Sequence, residues 1–303
     1  MDSSNDIREF LISRRAKLTP QEAGLPDYGG RRRVPGLRRE EVALMAGMSS
    51  EYYKRLERGI ATGVSDSVLD GISRALQLDE AERTHLYDLV RAANEGARAR
   101  AKRPMARKLQ VRPSLQQTID AMSTVPVFVQ NGRLDAVSTN RLGRALFSEM
   151  FTEDHRPVNA ARFVFLDPRA QTFYQDWKAN AGQIVALLRA EAGRSPYDKA
   201  LSNLVGELST QNELFRKLWA SHDVRAHTTG IKNIHHPVVG DLDLTYEAMD
   251  LTPHGLQMLM YSAEPGSPTH DGLQLLSNWA ATADSPPAPD RPPLGADAKD
   301  DHL

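Results

Sequence analysis

Apolar residues recur at three- and four-residue intervals on both sides of Gly47, a pattern typical of two short amphipathic helices joined by a tight turn. The inward positions of this pair are Leu37, Val42, Ala43, Met48, Tyr53 and Leu56. Ser49 can cap the second helix through its hydroxyl oxygen, and Glu51 in the first turn suits the positive end of the helix dipole. The pattern therefore predicts a second helix that begins near Ser50.

The outward residues at the start of this second helix have side chains that reach base edges and phosphates. With the capping serine, they are Ser49, Ser50, Glu51, Tyr52, Lys54 and Arg55. In a helix-turn-helix protein the second helix lies in the major groove of double-stranded DNA. Glu51 can accept a hydrogen bond from a cytosine amino group, and Ser50 can pair with several bases. Lys54, Arg55 and Tyr52 are expected to hold phosphates, although an ordinary helical hairpin with solvated charges is the alternative.

Residues 37–59 resemble the DNA-binding motif of the XRE, or lambda-repressor-like, family. The matching residues are Glu40, Glu41, Ala43, Gly47, Ser49, Arg55, Glu57, Arg58 and Gly59. That family often starts its first motif helix with Ser or Thr and then Gln, where this chain has Arg38 and Arg39. The longer run 31–43 is similar to a narrower group, the MmyB-like regulators, in which these arginines belong to the pattern. The resemblance implies a sequence-specific transcription regulator.

Helical patterns also flank the motif. Residues 6–15 offer an apolar face of Ile7, Phe10 and Leu11, and Ser65 opens a later helix. Asp79 followed by Glu82 three residues on is typical of a capping box at the start of a fifth helix. The N-terminal part is therefore predicted to be a five-helix, lambda-repressor-like bundle.

A loop over residues 19–36 precedes the motif and contains Arg31, Arg32 and Arg33. We expect these side chains, with Arg38 and Arg39, to contact phosphates or the minor groove, because the loop delivers them to the first motif helix. A solvated turn is the alternative for the three loop arginines.

The second half of the chain predicts a mixture of strands and helices. Short strands at 125–129 and 134–137 flank Asn131 and Gly132, the strongest short signal for a hairpin. The later elements are helices over 141–150, 169–192, 199–209 and 212–220, strands over 224–234, 242–249 and 256–263, and a last helix over 273–283. This order predicts an α+β domain, an antiparallel sheet with helices on one face and a ligand cavity between the layers.

Several motifs in this half resemble the MmyB-like ligand-binding domain in order and spacing. They include Asn140-Arg141, Phe165-Leu166-Asp167-Pro168, Phe215-Arg216-Lys217-Leu218-Trp219, His236-Pro237-Val238-Val239-Gly240 and Tyr261-Ser262-Ala263-Glu264-Pro265-Gly266-Ser267. The resemblance implies a PAS-like fold whose pocket takes a fatty-acid-like molecule. Relatives often have Trp where this chain has Thr139, which predicts a ligand of different size if that Trp shapes the pocket.

The candidate ligand-binding residues are mostly large and apolar. They are Phe128, Phe147, Trp177, Leu188, Trp219, Arg225, His236, Tyr246 and Tyr261. Arg225 and His236 are the candidates to meet a carboxylate head group, or else belong to a buried hydrogen-bond network. Core packing alone explains the aromatic residues equally well. His235 and His236 point to opposite faces of an extended segment, so we predict neither a metal site nor a required cofactor.

Charge is divided unequally along the chain. Residues 1–112 contain 22 Lys and Arg against 16 Asp and Glu, whereas residues 113–303 contain 16 against 23. The basic excess lies with the motif, as phosphate neutralisation requires. The chain has no Cys, which excludes a thiolate zinc site and disulfides. No apolar run reaches the length of a membrane span, so we expect a cytoplasmic protein without a membrane partner.

The predicted organisation is a helix-turn-helix domain over 1–97, a basic linker over 98–112, a ligand-binding domain over 113–283 and a disordered Pro-rich tail over 284–303. The leading interpretation is a homodimeric, DNA-binding regulator that senses an apolar small molecule. An enzyme docked by its N-terminal domain is one alternative, but no catalytic arrangement supports it. The other is a DNA-binding protein whose sheet domain serves dimerisation or partner binding without a ligand.

Overall fold

The computed structural model describes residues 3–26, 34, 36–95, 111–151, 157–223, 229–251 and 255–283. The N-terminal part contains α1 (Ser3–Lys17), α2 (Arg39–Met45), α3 (Ser50–Glu57), α4 (Asp66–Ala75) and α5 (Glu80–Glu95). These helices confirm the predicted bundle. The predicted linker lies outside the described residues except for 111–112, and the predicted tail lies outside them entirely.

Local sequence signals set the ends of the motif helices. Ser49 Oγ accepts a hydrogen bond from the Tyr52 amide at 3.2 Å, so α3 begins where the spacing predicts. At α2 the Glu41 carboxylate accepts from the Arg38 amide at 2.6 Å. This contact satisfies one free N–H of α2, although Arg38 stands where a capping serine is usual. Gly47 adopts a φ of 68° in the turn, a conformation that favours glycine.

The N-terminal core is formed by the inward faces that the spacing predicts. Its buried members include Ile7, Phe10, Leu11, Leu37, Val42, Ala43, Tyr53 and Leu56, and Met48 packs against them half-buried. The predicted capping box at α5 is also present: the Glu82 amide donates to Asp79 Oδ1 at 2.8 Å, and the Asp79 amide donates to Glu82 Oε2 at 3.2 Å. Helices α2 and α3 therefore pack on a core made of the residues that the spacing predicts.

The C-terminal domain alternates short strands and helices. Its elements are α6 (Pro113–Ala121), β1 (Val127–Asn131), β2 (Ala136–Thr139), α7 (Arg141–Leu146), α8 (Ala160–Leu166), α9 (Ala170–Phe173), α10 (Trp177–Arg194), α11 (Lys199–Gln211), α12 (Glu213–Ala220), β3 (Thr229–His236), β4 (Gly240–Leu251), β5 (Leu256–Ser262) and α13 (Pro268–Ala283). A 3-10 turn, Ser148–Met150, follows α7. The sheet is antiparallel with the order β2-β1-β5-β4-β3, and β1 and β2 form the predicted hairpin.

Three details differ from the sequence prediction. The single helix expected over 169–192 is two helices, because Tyr174 bridges Ile234 of β3 and Asp176 caps the start of α10. Helices α6 and α8 are additional. Most helices cover one face of the sheet, but α6 packs on the other face, where Ile119 joins Val127, Val129, Leu256 and Met258. The sheet is therefore covered on both faces.

The two domains meet along α10. Ala190 of this helix packs against the N-terminal core, beside α5. Arg14 of α1, only 6% exposed, pairs with Glu82 at 2.5 Å and donates to the backbone oxygen of His222 beyond α12. The His222 ring in turn lies 2.9 Å from the Glu9 carboxylate. We refer to these contacts of α1 and α5 with α10 and residues 222–223 as the domain joint.

Buried cations and neutral imidazoles characterise the domain joint. Arg189 of α10 donates to the backbone oxygen of Trp219 and lies 4.0 Å from the centre of its ring, and burial lowers the pKa of this guanidinium to about 10. Burial, followed by the charge of Arg189, lowers the pKa of His222 to about 4. Because the pKa of His222 lies well below 7, its imidazole is neutral near pH 7.

Candidate functional site

Helix α3 presents a polar surface on the face opposite its buried Tyr53 and Leu56. The Glu51 side chain is 83% exposed and accepts a hydrogen bond from Lys54 Nζ at 2.7 Å, which lowers the pKa of the Glu51 carboxyl. The Arg55 guanidinium lies over the Tyr52 ring at 4.9 Å from its centre. Because exposed pairs of this kind are weak, these side chains are free to exchange their partners for phosphates or bases.

Ser50 differs from its neighbours on this face. Its hydroxyl oxygen is buried and has no hydrogen-bond partner within the described residues. This position disfavours direct contact with a base, and Ser49 uses its own hydroxyl to cap α3. The predicted roles of both serines in DNA recognition stay predictions.

A buried carboxylate at the end of α3 pairs with two arginines. Glu57 is 2% exposed, and its oxygens accept from Arg15 at 2.9 Å and from Arg39 at 3.2 Å. Arg15 also donates to the backbone oxygen of Leu37 at 2.8 Å. Arg39, the first residue of α2, is half-exposed, so it can still extend toward a phosphate. Glu57 belongs to the family motif in the sequence, but the spacing of residues gives no sign that Arg15 is its partner.

The remaining basic candidates fall in two groups. Arg31, Arg32 and Arg33 lie outside the described residues. Arg38 is exposed immediately before α2. Its backbone amide donates to Glu41, and its guanidinium is the part available to DNA.

A cavity lies between the sheet and the helices of the C-terminal domain, where the fold prediction expected it. The space between its walls, counted together with open solvent, is about 390 Å³. Its walls are contributed by Phe128, Gln130, Phe147, Met150, Ala160, Tyr174, Ile184, Leu187, Lys232, Leu259 and Tyr261. This mostly apolar lining, with a few polar groups, is that of a small-molecule site.

Some of the predicted ligand-binding residues line the cavity, and others lie elsewhere in the domain. Phe128, Phe147 and Tyr261 line it. Tyr246 is buried nearby, with its hydroxyl accepting from Gln183 at 2.8 Å. Leu188 is fully buried in the core, and its neighbour Leu187 is the residue that faces the cavity.

Both candidate tryptophans have structural contacts away from the cavity lining. Trp177 donates its Nε1 hydrogen to the Val164 backbone oxygen at 2.8 Å. Trp219 stacks on Phe215 at 5.7 Å and carries Arg189 over its ring at the domain joint. Neither residue is among those that line the cavity.

The structure describes one of the two candidates for a head-group contact, and that residue, His236, does not line the cavity. Arg225 lies outside the described residues. His236 is completely buried, with one ring nitrogen 3.0 Å from the Ala145 backbone oxygen and the other accepting from the Val238 amide at 3.2 Å. The alternative interpretation of His236, a buried hydrogen-bond network, describes its contacts.

The cation that does line the cavity is Lys232. Its Nζ donates to Asn180 Oδ1 at 2.9 Å and lies 5.4 Å and 5.8 Å from the ring centres of Tyr174 and Tyr246. Burial lowers the pKa of this ammonium to about 8. Strand alternation could have found it, because Lys232 shares its face of β3 with buried Ile234 and His236.

Helix α10 contributes to both the cavity and the domain joint. Ile184 and Leu187 line the cavity, and the next turn carries Arg189 and Ala190 into the joint. A change in the position of α10 would therefore alter contacts at the cavity and at the domain joint together.

Other kinds of site receive little support. Across the described residues, no group of three or more His, Asp and Glu side chains is placed to hold a metal ion. His222 and Asp223, which the sequence brings near other histidines, instead contact α1. Within the same residues, no helix has the length and apolar character of a membrane span.

Comparisons with known proteins agree with this architecture. Residues 14–86 match the model of a helix-turn-helix domain. Residues 111–276 match the model of the MmyB-like transcription regulator ligand binding domain. A search among curated proteins gave no match. Since the second match spans more than half of the chain and the cavity lies within it, the chain belongs to the family of MmyB-like transcription regulators.

Proposed function

We propose that this protein is a sequence-specific, homodimeric transcription regulator whose DNA affinity responds to an apolar, fatty-acid-like small molecule in the C-terminal cavity. The observation that carries this proposal is the dual position of α10, which lines the cavity with Ile184 and Leu187 and packs against the DNA-binding domain with Ala190. A ligand that prefers one placement of α10 then favours one arrangement of the domains.

The DNA-binding part of the proposal rests on α3. Its exposed Glu51 and Arg55 and its half-exposed Lys54 suit the major groove, with base contact from the carboxylate and phosphate contact from the cations. One small motif offers few contacts, so specific binding is expected to need two copies. Their half-sites should lie about 34 Å, or one DNA turn, apart or at a multiple of that spacing.

The ligand part rests on the cavity lining. Besides four aromatic residues and Lys232, the lining has six residues. Four of these offer flexible apolar surface: Met150, Ile184, Leu187 and Leu259. Such a wall favours a compound that buries a hydrocarbon chain. The family resemblance supports the same class of molecule.

The decisive experiment measures DNA affinity with and without ligand. DNA sites are first selected from a random library by the full-length protein, and compounds that co-purify from its own host are identified by native mass spectrometry. Ligand binding should raise the melting temperature, because a ligand at one hundred times its Kd stabilises the folded state by about 2.7 kcal/mol. The same compound should change affinity for the selected DNA. If no co-purified compound or lipid panel alters melting or DNA affinity, the sensing function is wrong.

A second candidate function is self-association or partner binding by the C-terminal domain without a ligand. It is favoured by Leu275 and Trp279, which are 63% and 43% exposed and lie one helical turn apart on α13. Leu275→Glu should convert a dimer to a monomer in sedimentation measurements if this face is the interface. An unchanged mass would assign dimerisation to another surface.

A further inference from the structure

Lys232 contributes a primary amine to a cavity wall that is otherwise mostly apolar. It alternates along β3 with the exposed Ile231 and Asn233, so its side chain is directed to the same face as the buried Ile234. Of the residues that line the cavity, Lys232 carries the side chain that attacks carbonyl carbons, through the electron pair of its neutral amine. The proposed function gives no task to this amine.

The contacts of the Lys232 amine fix its position without an ion pair. Its Nζ donates to Asn180 Oδ1 at 2.9 Å, and the same amide is hydrogen-bonded to the Tyr174 side chain. The rings of Tyr174 and Tyr246 flank the amine, with their centres 5.4 Å and 5.8 Å from Nζ. Among the described residues, no carboxylate pairs with it. The ammonium therefore lacks the kind of partner that most strongly favours the charged form of lysine.

A lysine in such surroundings is readier to react than an exposed one. Burial lowers the pKa of Lys232 to about 8. At pH 7 about a tenth of amines with this pKa are neutral, against about one in 2,500 for an ordinary lysine, whose pKa is about 10.4. The neutral amine is the nucleophile, and placement in a hydrophobic pocket activates lysines for imine formation.

We propose that Lys232 captures apolar aldehydes as a reversible imine. This inference rests on the proposed function, because it uses the same cavity, and it adds a class of ligand and a covalent bond. The Nζ electron pair attacks the carbonyl carbon, and a proton moves from nitrogen to oxygen to give a carbinolamine. The nitrogen then gives up its second proton, the hydroxyl leaves with that proton as water, and the C=N bond forms. One amine and one aldehyde thus yield one imine and one water.

The cavity favours an aldehyde that carries a hydrocarbon chain. Ile184 and Leu187 of α10 offer apolar surface on which such a chain can be buried. Conversion of the Lys232 amine to a neutral imine removes the charge that an apolar wall disfavours. An alcohol of equal chain length leaves that charge in place. Because water reverses the imine, capture follows the concentration of the aldehyde.

Reductive trapping measures this reaction in the full-length wild type. The protein is incubated with decanal at pH 7, sodium cyanoborohydride fixes the imine as a secondary amine, and digestion followed by mass spectrometry locates each decyl group. Lys232 should be labelled about 10- to 100-fold faster than the exposed Lys199 of α11, less than the ratio of neutral amines because a less basic amine is a weaker nucleophile. The rate at Lys232 should level off above pH 8, whereas the rate at Lys199 should continue to rise.

Two controls separate a built site from the general reactivity of amines. Decan-1-ol, which fills the cavity without a carbonyl group, should slow the labelling of Lys232 and leave unchanged that of the α-amino group, whose pKa is also about 8. Decanal should raise the melting temperature of the wild type and of Lys199→Met but not that of Lys232→Met.

Faster labelling at Lys232 than at Lys199, slowed by decan-1-ol, supports the proposal. A rate at Lys232 equal to or below that at Lys199 overturns it, and so does labelling of Lys232 that decan-1-ol leaves unchanged. Both comparisons are made within the wild type, so they hold even if Lys232→Met does not fold. If the proposal is overturned but the lipid panel still alters DNA affinity, the sensing function stands. If no lipid alters it either, both are wrong.

Discussion

Gly193 of α10 lies directly against the imidazole of His85 in α5, so close that a Cβ atom at position 193 would be 2.6 Å from Nδ1. His85 cannot easily withdraw, because it is 3% exposed and stands edge-on to Phe10 at 5.2 Å between ring centres. The absence of a side chain at position 193 is therefore what lets the two domains approach at the domain joint.

Gly193→Ala is expected to push the domains apart. Insertion of a methyl group into a packed contact costs about 1 to 3 kcal/mol, which outweighs the gain of up to about 1 kcal/mol for Ala over Gly in a helix. Urea denaturation should show the net loss of stability. Under the proposed function, ligand and DNA should each still bind, but the ligand should no longer change DNA affinity in fluorescence anisotropy.

Gly182→Ala is the matched control, since it changes the same helix at a position where a Cβ would meet no atom within 4 Å. It should be neutral or stabilising and should keep the ligand response. If Gly193→Ala responds to ligand as the wild type does, the domain joint does not carry the coupling.

Arg14→Ala should destabilise the joint by a different route. Its guanidinium is buried between Glu82 and the His222 backbone oxygen, and its removal leaves that carboxylate without its ion-pair partner. Breaking a buried pair typically costs about 3 to 5 kcal/mol. Arg8→Ala on the exposed face of α1 is the control and should change stability by less than about 0.5 kcal/mol. Small-angle scattering should show a larger radius of gyration for Arg14→Ala alone, and equal dimensions for both variants would contradict the role of Arg14.

Local signals explain why much of the fold was predictable. Two helix starts are marked by capping residues, Ser49 at α3 and Asp79 with Glu82 at α5. The hairpin is marked by Asn131 and Gly132. Each of these signals lies within a few neighbouring residues, so the sequence is enough to find it. Spacing alone finds the buried Tyr53 and Leu56 of α3 and its exposed Glu51 and Arg55, but not the buried hydroxyl of Ser50.

The rest depends on contacts between distant parts of the chain. Lys232 lies on β3, but Asn180, Tyr174 and Tyr246 come from three other places in the sequence. The Glu9 contact with His222 joins two domains. Strand alternation places Lys232 on the inward face of β3, but neither composition nor periodicity indicates which distant residues it contacts.

The domain joint should also weaken in acid. Burial, followed by the charges of Arg189, His222 and Arg14, lowers the pKa of His85 to about 3. An unfolded histidine titrates near about 6.5, so between pH 6.5 and 3 the unfolded chain holds a proton that the folded chain does not. The free energy of unfolding must therefore fall as pH falls through this window. Denaturation at pH 7 and pH 4.5 measures the difference.

His85→Leu should reduce this pH dependence, because it removes one of the groups that must remain neutral in the folded state. Some dependence should persist, since His222 has a pKa lowered in the same direction. His270→Leu, at a half-buried histidine that contacts Gln274 outside the joint, is the control. If the free energy of unfolding of His85→Leu depends on pH as that of the wild type does, His85 does not limit stability in acid.

Lys54→Ala and Arg55→Ala should weaken DNA binding on all sequences alike. Each variant removes one expected phosphate contact, so the dependence of log affinity on log salt should become shallower by about one unit. Lys199→Ala on α11 should leave the slope unchanged. Identical slopes for all proteins would reject the predicted orientation of α3.

Glu51→Gln should change which bases are preferred rather than the salt dependence. The carboxylate only accepts hydrogen bonds, whereas the amide also donates, so a position read as cytosine should become permissive. Selection from a random DNA library by wild type and variant compares the preferences directly. The same selected motif from both would remove Glu51 from base recognition.

Lys232→Met should be more stable than the wild type when no ligand is bound, and the advantage should shrink as pH rises. Burial lowers the pKa of Lys232 to about 8, whereas an unfolded lysine titrates near about 10.4. Above pH 8 the unfolded chain holds a proton that the folded chain has lost, so the contribution of Lys232 to the free energy of unfolding rises with pH. The neighbouring Tyr174, Tyr246 and Tyr261 all have raised pKa values, and the comparison of two proteins at each pH cancels their effect. Urea denaturation of ligand-free wild type, Lys232→Met and Lys199→Met at pH 7 and pH 9.5 tests this. The free energies of unfolding of wild type and Lys232→Met are compared at each pH. If they differ by the same amount at both pH values, burial of the Lys232 ammonium does not destabilise the ligand-free protein.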